Sequence, residues 1–445
     1  MHTRLALVWI FATFAVAFGD EPRPTAVPAE VRAGLKLAPF YQKYLDSGGL
    51  PVVWSARVSD NALAEAAWIV RHMLEGRGDL IRAMAGNKVR VVVMAADEYT
   101  TDIPEHSRLT PKLYWDRRAR GLGATPSVPA VSCGEENLLG FERDPYPNEN
   151  IFVHEFGHAI HGTGLNITDP TFDRRLRAAF RAARDRGLWD NTYAATNHSE
   201  YWAEGVQSWF DDNAPPDALH NHVRTRALLK TYDPGLAKLC EEVFGDREWR
   251  YLRPASRKPA DRAHLVGYDP KTLPRFRWRD APLVDKPRVT LQTSVGDFDV
   301  ELDAKGSPAA TRNFLRIAND GGYHSGRFDP VVAIGKPANG EAGKGHVRAA
   351  INPGWREKWL KTLTLDELPA VASAPTDGTI GMIRDKSGVG GFAVFAGDSF
   401  PGRDDVIPFG KVVKGMEVVR KMLTSPPDGE KPKPPVDIRR VIRTE

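Results

Sequence analysis

The stretch Ile151-Phe152-Val153-His154-Glu155-Phe156-Gly157-His158 decides how the first half of this chain is read. Three apolar residues lead into two histidines four positions apart. On a helix such residues lie one turn apart on one face, so both imidazoles can close on a single ion. Glu155 then stands beside the ion rather than on it, placed to take a proton from water. Zinc suits this donor set: it accepts imidazole nitrogens in a tetrahedron and lowers the pKa of water towards about 7. The pattern predicts zinc as cofactor, His154 and His158 as ligands and Glu155 as general base.

A third ligand is sought on a second helix. The segment from Ser199 to Phe210 is helical by pattern and carries Glu200 and Glu204 on one face, between Tyr201 and Trp202 and other apolar residues. One carboxylate can bind the metal while the other holds a ligand histidine by its remaining N–H. We assign Glu200 to the metal and Glu204 to the supporting role; the opposite assignment differs by one helical turn. A metzincin motif would need Gly at 161 and His at 164, whereas the chain has His161 and Gly164, which excludes that scheme. His161 lies a rise of roughly 10 Å from His154, too far to share a tetrahedral ion, and is read as a packing or hydrogen-bonding residue.

Outside these helices, composition bounds the answer. The chain has 445 residues, 42% apolar and 27% charged, enough for two or three globular domains. Its net charge of +4, without a basic block, argues against nucleic acid as a partner. Two cysteines, Cys133 and Cys240, exclude a disulfide framework and leave open whether they pair. Residues 1–19 read as a cleaved secretory signal, with a basic start, an apolar run too short to span a bilayer, and small residues at its end. A secreted or periplasmic location follows, with no membrane contact after cleavage. Oligomeric state is left open.

The fold class expected is multidomain: an α+β, mostly helical first domain over 29–251, a proline- and charge-rich linker over 252–287, and a β-barrel domain over 288–445. Within the first domain, 61–85 has helical periodicity and 88–95 (KVRVVVMA) reads as a strand. In the last, RVTLQTS and FDVELD flank a Gly296-Asp297 turn as a hairpin, followed by a helix over 307–319 and a short one over 415–422.

HEFGHAIH followed by Tyr193 and EYWAE resembles the anthrax lethal factor-like zinc peptidases, which include secreted proline-preferring endopeptidases. The resemblance covers about 29–251 and implies a zincin-like fold. It implies zinc on His154, His158 and Glu200, Glu155 as general base, and Tyr193 as a hydroxyl donor to the tetrahedral oxyanion, with Tyr201 a second available phenol. The run from Cys133 to Leu139 is read either as a strand edge that holds extended substrate or as a plain loop.

Beyond Arg288 the chain resembles the cyclophilin family of peptidyl-prolyl isomerases, through VTLQTSVGDFDVELD, SPAATRNFLRIANDGGY, GTIGM and IPFGKVVKGMEVV. The resemblance implies a closed eight-stranded barrel with two helices and a hydrophobic proline pocket. Here the family's Phe-His-Arg-Val run reads Phe328-Asp329-Pro330-Val331, so its catalytic arginine is missing. The Ser-Gln-Phe-Phe run reads Gly390-Gly391-Phe392-Ala393, which loses a glutamine, and the Trp or His expected at the pocket rim is absent around 401–406. Phe328, Met382 and Phe392 are expected to form the remaining pocket, and Arg327 is the nearest replacement arginine.

The reading is a secreted zinc endopeptidase acting on polypeptides, proline-containing ones among them, with an appended domain weak or inactive as an isomerase. Two other classes stay open: an isomerase or folding helper with an inactive protease-like domain, and a non-enzymatic interaction protein.

Overall fold

In the computed structural model, residues 23–279, 281–319, 321–324, 326–333, 344–350, 374–383, 391–397, 406–423 and 436–444 are described, without the side chains of 329–333, 350 and 383. The signal sequence expected at 1–19 and the rim segment 401–405 lie outside them. The β-branched run at 88–95 becomes β4 (Arg90–Met94), buried along its whole length. Val91 and Val93 pack with Phe152 and Phe156 on one face, and Val92 and Met94 with Tyr41 and Ile103 on the other. A strand covered on both faces is apolar without a break, which is why this run is so easily read.

Five further strands join it: β1 (Thr25–Ala26), β2 (Lys43–Ser47), β3 (Leu50–Trp54), β5 (Gly121–Leu122) and β6 (Ala130–Gly134). The sheet order is β1-β2-β3-β4-β6-β5, with β3, β4 and β6 parallel and β5 antiparallel at one edge. The single helix expected over 61–85 is two, Asp60–Met73 and Gly78–Gly86. The break falls where Gly76 takes a φ of 76°, a conformation that glycine reaches at little cost. The remainder of the first domain is helical, as expected.

The second domain is a closed barrel of β7 (Arg288–Thr293), β8 (Gly296–Leu302), β9 (Gly326–Ala333), β10 (Gly345–Ala350), β11 (Thr379–Ile383), β12 (Phe392–Ala396), β13 (Val406–Lys414) and β14 (Val436–Arg443). Neighbours run β10-β12-β11-β13-β8-β7-β14-β9, and β9 closes on β10. Alternation turns Val289, Leu291, Phe298 and Val300 into its core, where Phe314 of the helix Pro308–Asn319 and Val419 of the helix Met416–Leu423 cover them. Among the described residues no helix is long and apolar enough to cross a membrane. Cys133 and Cys240 are buried and unbridged.

The segment 252–287, expected as a solvated linker, is instead strapped onto the first domain. Its arginines are anchors. Arg253 donates to the carbonyls of Tyr146 (2.6 Å) and Glu149 (2.7 Å), and Arg257 makes a two-pronged pair with Glu65 at 2.8 and 2.5 Å. His264 Nε2 meets the same carboxylate at 2.9 Å, and Phe276 is buried. Proline and charge hid this from periodicity, because an arginine that bonds backbone carbonyls makes no repeating apolar pattern. The strap leads to the barrel, where Arg443 donates to the Pro282 carbonyl at 2.6 Å and Arg440 Nη1 to the Arg118 carbonyl at 3.1 Å.

The Arg257–Glu65 side chains are 2% and 0% exposed. Removing the guanidinium would leave a buried, under-compensated carboxylate, a change that typically costs about 3–5 kcal/mol. Arg257→Ala should therefore lower the stability of the first domain by that order in denaturant titration. A loss below about 1 kcal/mol would mean that the strap is not an integral part of the domain.

Candidate metal centre and its cleft

Two capped helices build the centre. Asn150 Oδ1 accepts from the amides of Phe152 (2.9 Å) and Val153 (3.4 Å), starting the helix Ile151–Ala159. Asn197 Oδ1 does the same for Ser199 (2.8 Å) and Glu200 (3.0 Å), starting His198–Trp209. The helices meet at Gly157, where an added Cβ would touch Val206 at 3.4 Å, and Trp202 Nε1 donates to the Gly157 carbonyl at 2.9 Å. This crossing carries Glu200 over the two histidines.

His154 Nε2 lies 3.1 Å from Glu200 Oε2, His158 Nε2 lies 3.2 Å from the same oxygen, and the two nitrogens are 3.2 Å apart. A tetrahedral ion with bonds of about 2.0 Å needs ligand atoms about 3.3 Å from one another, so the triangle has the size of one face of a zinc site. The tautomers agree. Gln207 Nε2 donates to Glu149 Oε2 (2.9 Å), which leaves Gln207 Oε1 to accept from His154 Nδ1 at 2.8 Å. The Nε2 lone pair of His154 is then bare and faces a carboxylate oxygen and a second imidazole. His158 Nδ1 is likewise held, by Ser199 Oγ at 2.9 Å. Three lone pairs converging on one point call for a cation.

Without a metal, the pocket would take a proton. Burial pushes the His154 imidazole down, but the hydrogen bond to Glu200 and the charges of Glu155, Glu200 and Glu204 raise it to about 10. For Glu200, burial works upward, and the hydrogen bonds from His154 and His158 outweigh it, holding the carboxyl well below its usual range. His154, His158 and Glu200 are the group of potential metal ligands found among the described residues.

The supporting residue differs from the one expected. Glu204 Oε1 is 3.7 Å from His154 Nδ1, and Gln207 occupies the hydrogen-bonding position instead. Glu204 is held by Asn213 Nδ2 at 3.0 Å and lies 3.7 Å from His220 Nε2, in a charged layer behind the ligand. Gln207 was legible in principle: it stands seven residues after Glu200, on the same helical stripe as Glu204. His161 turns away, with Nε2 3.3 Å from Asp173. Tyr193 comes close, its ring centroid 6.2 Å from that of His154, and its hydroxyl accepts from Arg118 Nη2 at 3.2 Å. Burial, then the charge of Glu200, pushes Tyr193 up to about 12. Tyr201 is buried, its hydroxyl donating to Asp233 at 2.7 Å, so it takes no part.

Of the run Cys133 to Leu139, the strand residues lie inside the sheet, since β6 has β4 on one side and β5 on the other. The true edge is β5, and it presses on the metal helix. A Cβ on Gly121 would stand 2.8 Å from the Ser132 carbonyl oxygen, and one on Gly123 would stand 2.6 Å from the His158 Cβ. Glycine is needed at both positions for this approach. A cleft of about 810 Å³ opens here, lined by Gly121, His154, Glu155 and Tyr193 and, from the barrel, by Arg439 and Arg440.

The proline-pocket residues expected from the sequence do not line the described cleft. Phe328, Met382 and Phe392 are each fully buried in the barrel core, with Phe328 and Phe392 packed edge to face at 5.9 Å. On β12, Phe392 and Val394 point inward, while Ala393 and Phe395 face the other way in a separate small cluster. Arg327 pairs with Asp437 at 3.2 Å on the barrel surface. The position of Pro330 is on β9.

Because Gln207 fixes the His154 tautomer, Gln207→Leu should weaken zinc affinity by about 10- to 100-fold. Glu204→Gln should weaken it less. Competition with a chelating dye reads both; a larger effect at Glu204 would show that the carboxylate, not the amide, orients the ligand.

Comparison with known proteins bears on the second domain. The family described as cyclophilin type peptidyl-prolyl cis-trans isomerase/CLD matches residues 288–443. Peptidyl-prolyl cis-trans isomerase CYP18-2 of Arabidopsis thaliana is 30% identical over 142 residues, spanning 31% of this chain and 80% of that protein. Among solved structures, a cyclophilin type peptidyl-prolyl cis-trans isomerase of Cryptosporidium parvum is 18% identical, over 36% of this chain and 98% of its own, with a TM-score of 0.28. The Mimivirus cyclophilin is 16% identical, over 37% and 92%, also with a TM-score of 0.28. With an eight-stranded closed barrel formed by this region, the chain belongs, through residues 288–443, to the cyclophilin type peptidyl-prolyl cis-trans isomerase family.

Proposed function

We propose that this chain is a zinc-dependent endopeptidase of zincin-like architecture, acting outside the cytoplasm after loss of its signal sequence. The observation that carries the reading is the triangle of His154, His158 and Glu200 ligand atoms, 3.1–3.2 Å on each side, with Glu155 on the same cleft wall. Zinc bound there would supply Lewis acidity, polarising a carbonyl and acidifying water. Glu155 accepts the proton of the attacking water and returns it to the leaving amine. Tyr193 stays protonated at neutral pH; its oxygen accepts from Arg118, so its own proton is free to stabilise a developing oxyanion. Substrate lies extended along β5, whose outer edge can take an added strand.

For the barrel, family membership favours recognition of proline-containing polypeptide. Turnover is another matter. An isomerase must lower a barrier of about 18–20 kcal/mol by stabilising the twisted amide more than the planar forms. Pro330 stands where the family has an arginine, and Gly391 where it has a glutamine, so the donors are missing from the sequence.

Two measurements test this. Glu155→Gln should abolish cleavage of a peptide library, read by mass spectrometry of new ends, while zinc stays at one equivalent; undiminished cleavage would remove the proposal. The same variant, which cannot digest its substrate, should accelerate prolyl isomerisation far less than intact cyclophilins in an exchange assay by NMR. A matching rate would favour the isomerase as the principal activity.

A further inference from the structure

The cleft beside the metal centre is not built by the first domain alone. The last barrel strand, β14, forms one of its walls and brings Arg439 and Arg440 to it. Plain strand alternation would send neighbouring residues to opposite faces. Here the register on β7 slips: Ile438 is opposite Thr293 and Arg440 is opposite Gln292, so Arg439 is an extra residue in a β-bulge. Bulges re-aim side chains and recur next to active sites, and here the whole run from Arg439 to Arg443 lines the cavity.

Arg440 Nη1 donates to the Arg118 carbonyl at 3.1 Å, and Arg118 Nη2 donates to the Tyr193 hydroxyl at 3.2 Å. Arginines from two domains thus line the same cleft as the tyrosine that borders the candidate metal ligands. Among the described residues, none of Arg118, Arg439 and Arg440 has a carboxylate within ion-pair distance, and Arg439 Nε is buried with no hydrogen-bond partner. Several carboxylates of the same cleft are already engaged. Asp217 accepts from His220 at 2.9 Å, Asp144 is 3.2 Å from Arg253, and Glu149 accepts from Gln207 at 2.9 Å. Glu142 is 3.6 Å from Arg275, Glu204 accepts from Asn213 at 3.0 Å, and Glu155 stands beside the two histidines, so among the described residues no carboxylate is paired with Arg118, Arg439 or Arg440.

We propose that Arg440, with Arg118 and Arg439, forms a carboxylate-binding wall, so that the preferred substrate is a peptide carrying a carboxylate close to the bond that is cut. This rests on the peptidase reading and gives it a substrate class. It also gives the barrel a role in the cleft that needs no isomerase chemistry: it completes the specificity site. Guanidinium forks bind carboxylates in a planar, two-bonded fashion that an ammonium does not reproduce. The carboxylate can come from an acidic side chain or from the free end of the peptide.

The test uses the full-length, zinc-loaded Glu155→Gln protein, so that binding is read without cleavage. Three probes are titrated by calorimetry: a blocked neutral peptide, the same peptide with one glutamate moved through it position by position, and the neutral peptide with a free C-terminal carboxylate. At least one carboxylate-bearing probe should bind about tenfold or more tighter than the neutral one. The probe that does so tells side chain from chain end. In the double variant with Arg440→Ala that ratio should fall towards one at unchanged zinc content, and Arg440→Lys should restore part of it. Equal binding of all probes, or a ratio that survives Arg440→Ala, overturns the proposal. Cleavage by the unmodified protein is scored separately. Hydrolysis of all probes with equal binding sinks the carboxylate wall alone, and a carboxylate preference in binding without any hydrolysis sinks the peptidase reading alone.

Discussion

Three electron pairs aimed at one point, which only a proton or a metal ion can share, are the constraint on which the candidate centre depends. His154, His158 and Glu200 are held there by groups that leave them little choice: Gln207 on one imidazole, Ser199 on the other, and an asparagine cap at the start of each helix. Such a pocket is electrostatically unfavourable until a cation enters it, and the helix crossing at Gly157 keeps the ligands from moving apart. A metal bound there would also stabilise this arrangement of helices.

The centre's environment follows from the same economy of space. The edge strand β5 approaches so closely that Gly121 and Gly123 have no room for side chains. The strap 252–287 locks its arginines onto carbonyls and carboxylates of the first domain before reaching the barrel. The barrel then lies near enough for β14 to share the cleft. Two domains that read as separate in sequence meet where the chemistry would occur.

Legibility in the sequence followed how local each signal was. The juxtaposition of His154, His158 and Glu200 could be read because residues on one face of a helix repeat at its own period, and β4 because burial on both faces leaves Val91 to Ala95 apolar. The barrel was readable from its family motifs. Gln207 does not stand out in the sequence because a neutral amide carries no chemical signature, although it lies on the same stripe. The short edge strand β5 escapes the pattern because two glycines advertise a turn, and the strap reads as a linker because buried arginines look like solvated ones. The proline pocket is harder to read: Phe328, Met382 and Phe392 are buried in the barrel core, and hydrophobic character alone does not separate a core position from a ligand-facing one.

The central claim concerns one ion and three ligand atoms. Zinc K-edge X-ray absorption on the full-length protein loaded with one equivalent of zinc tests it most directly. The account predicts a four-coordinate site of nitrogen and oxygen atoms at about 2.0 Å, with the multiple scattering of two imidazoles and no sulfur. Sulfur at about 2.3 Å, a single imidazole, or a six-coordinate oxygen shell typical of adventitious binding would contradict it.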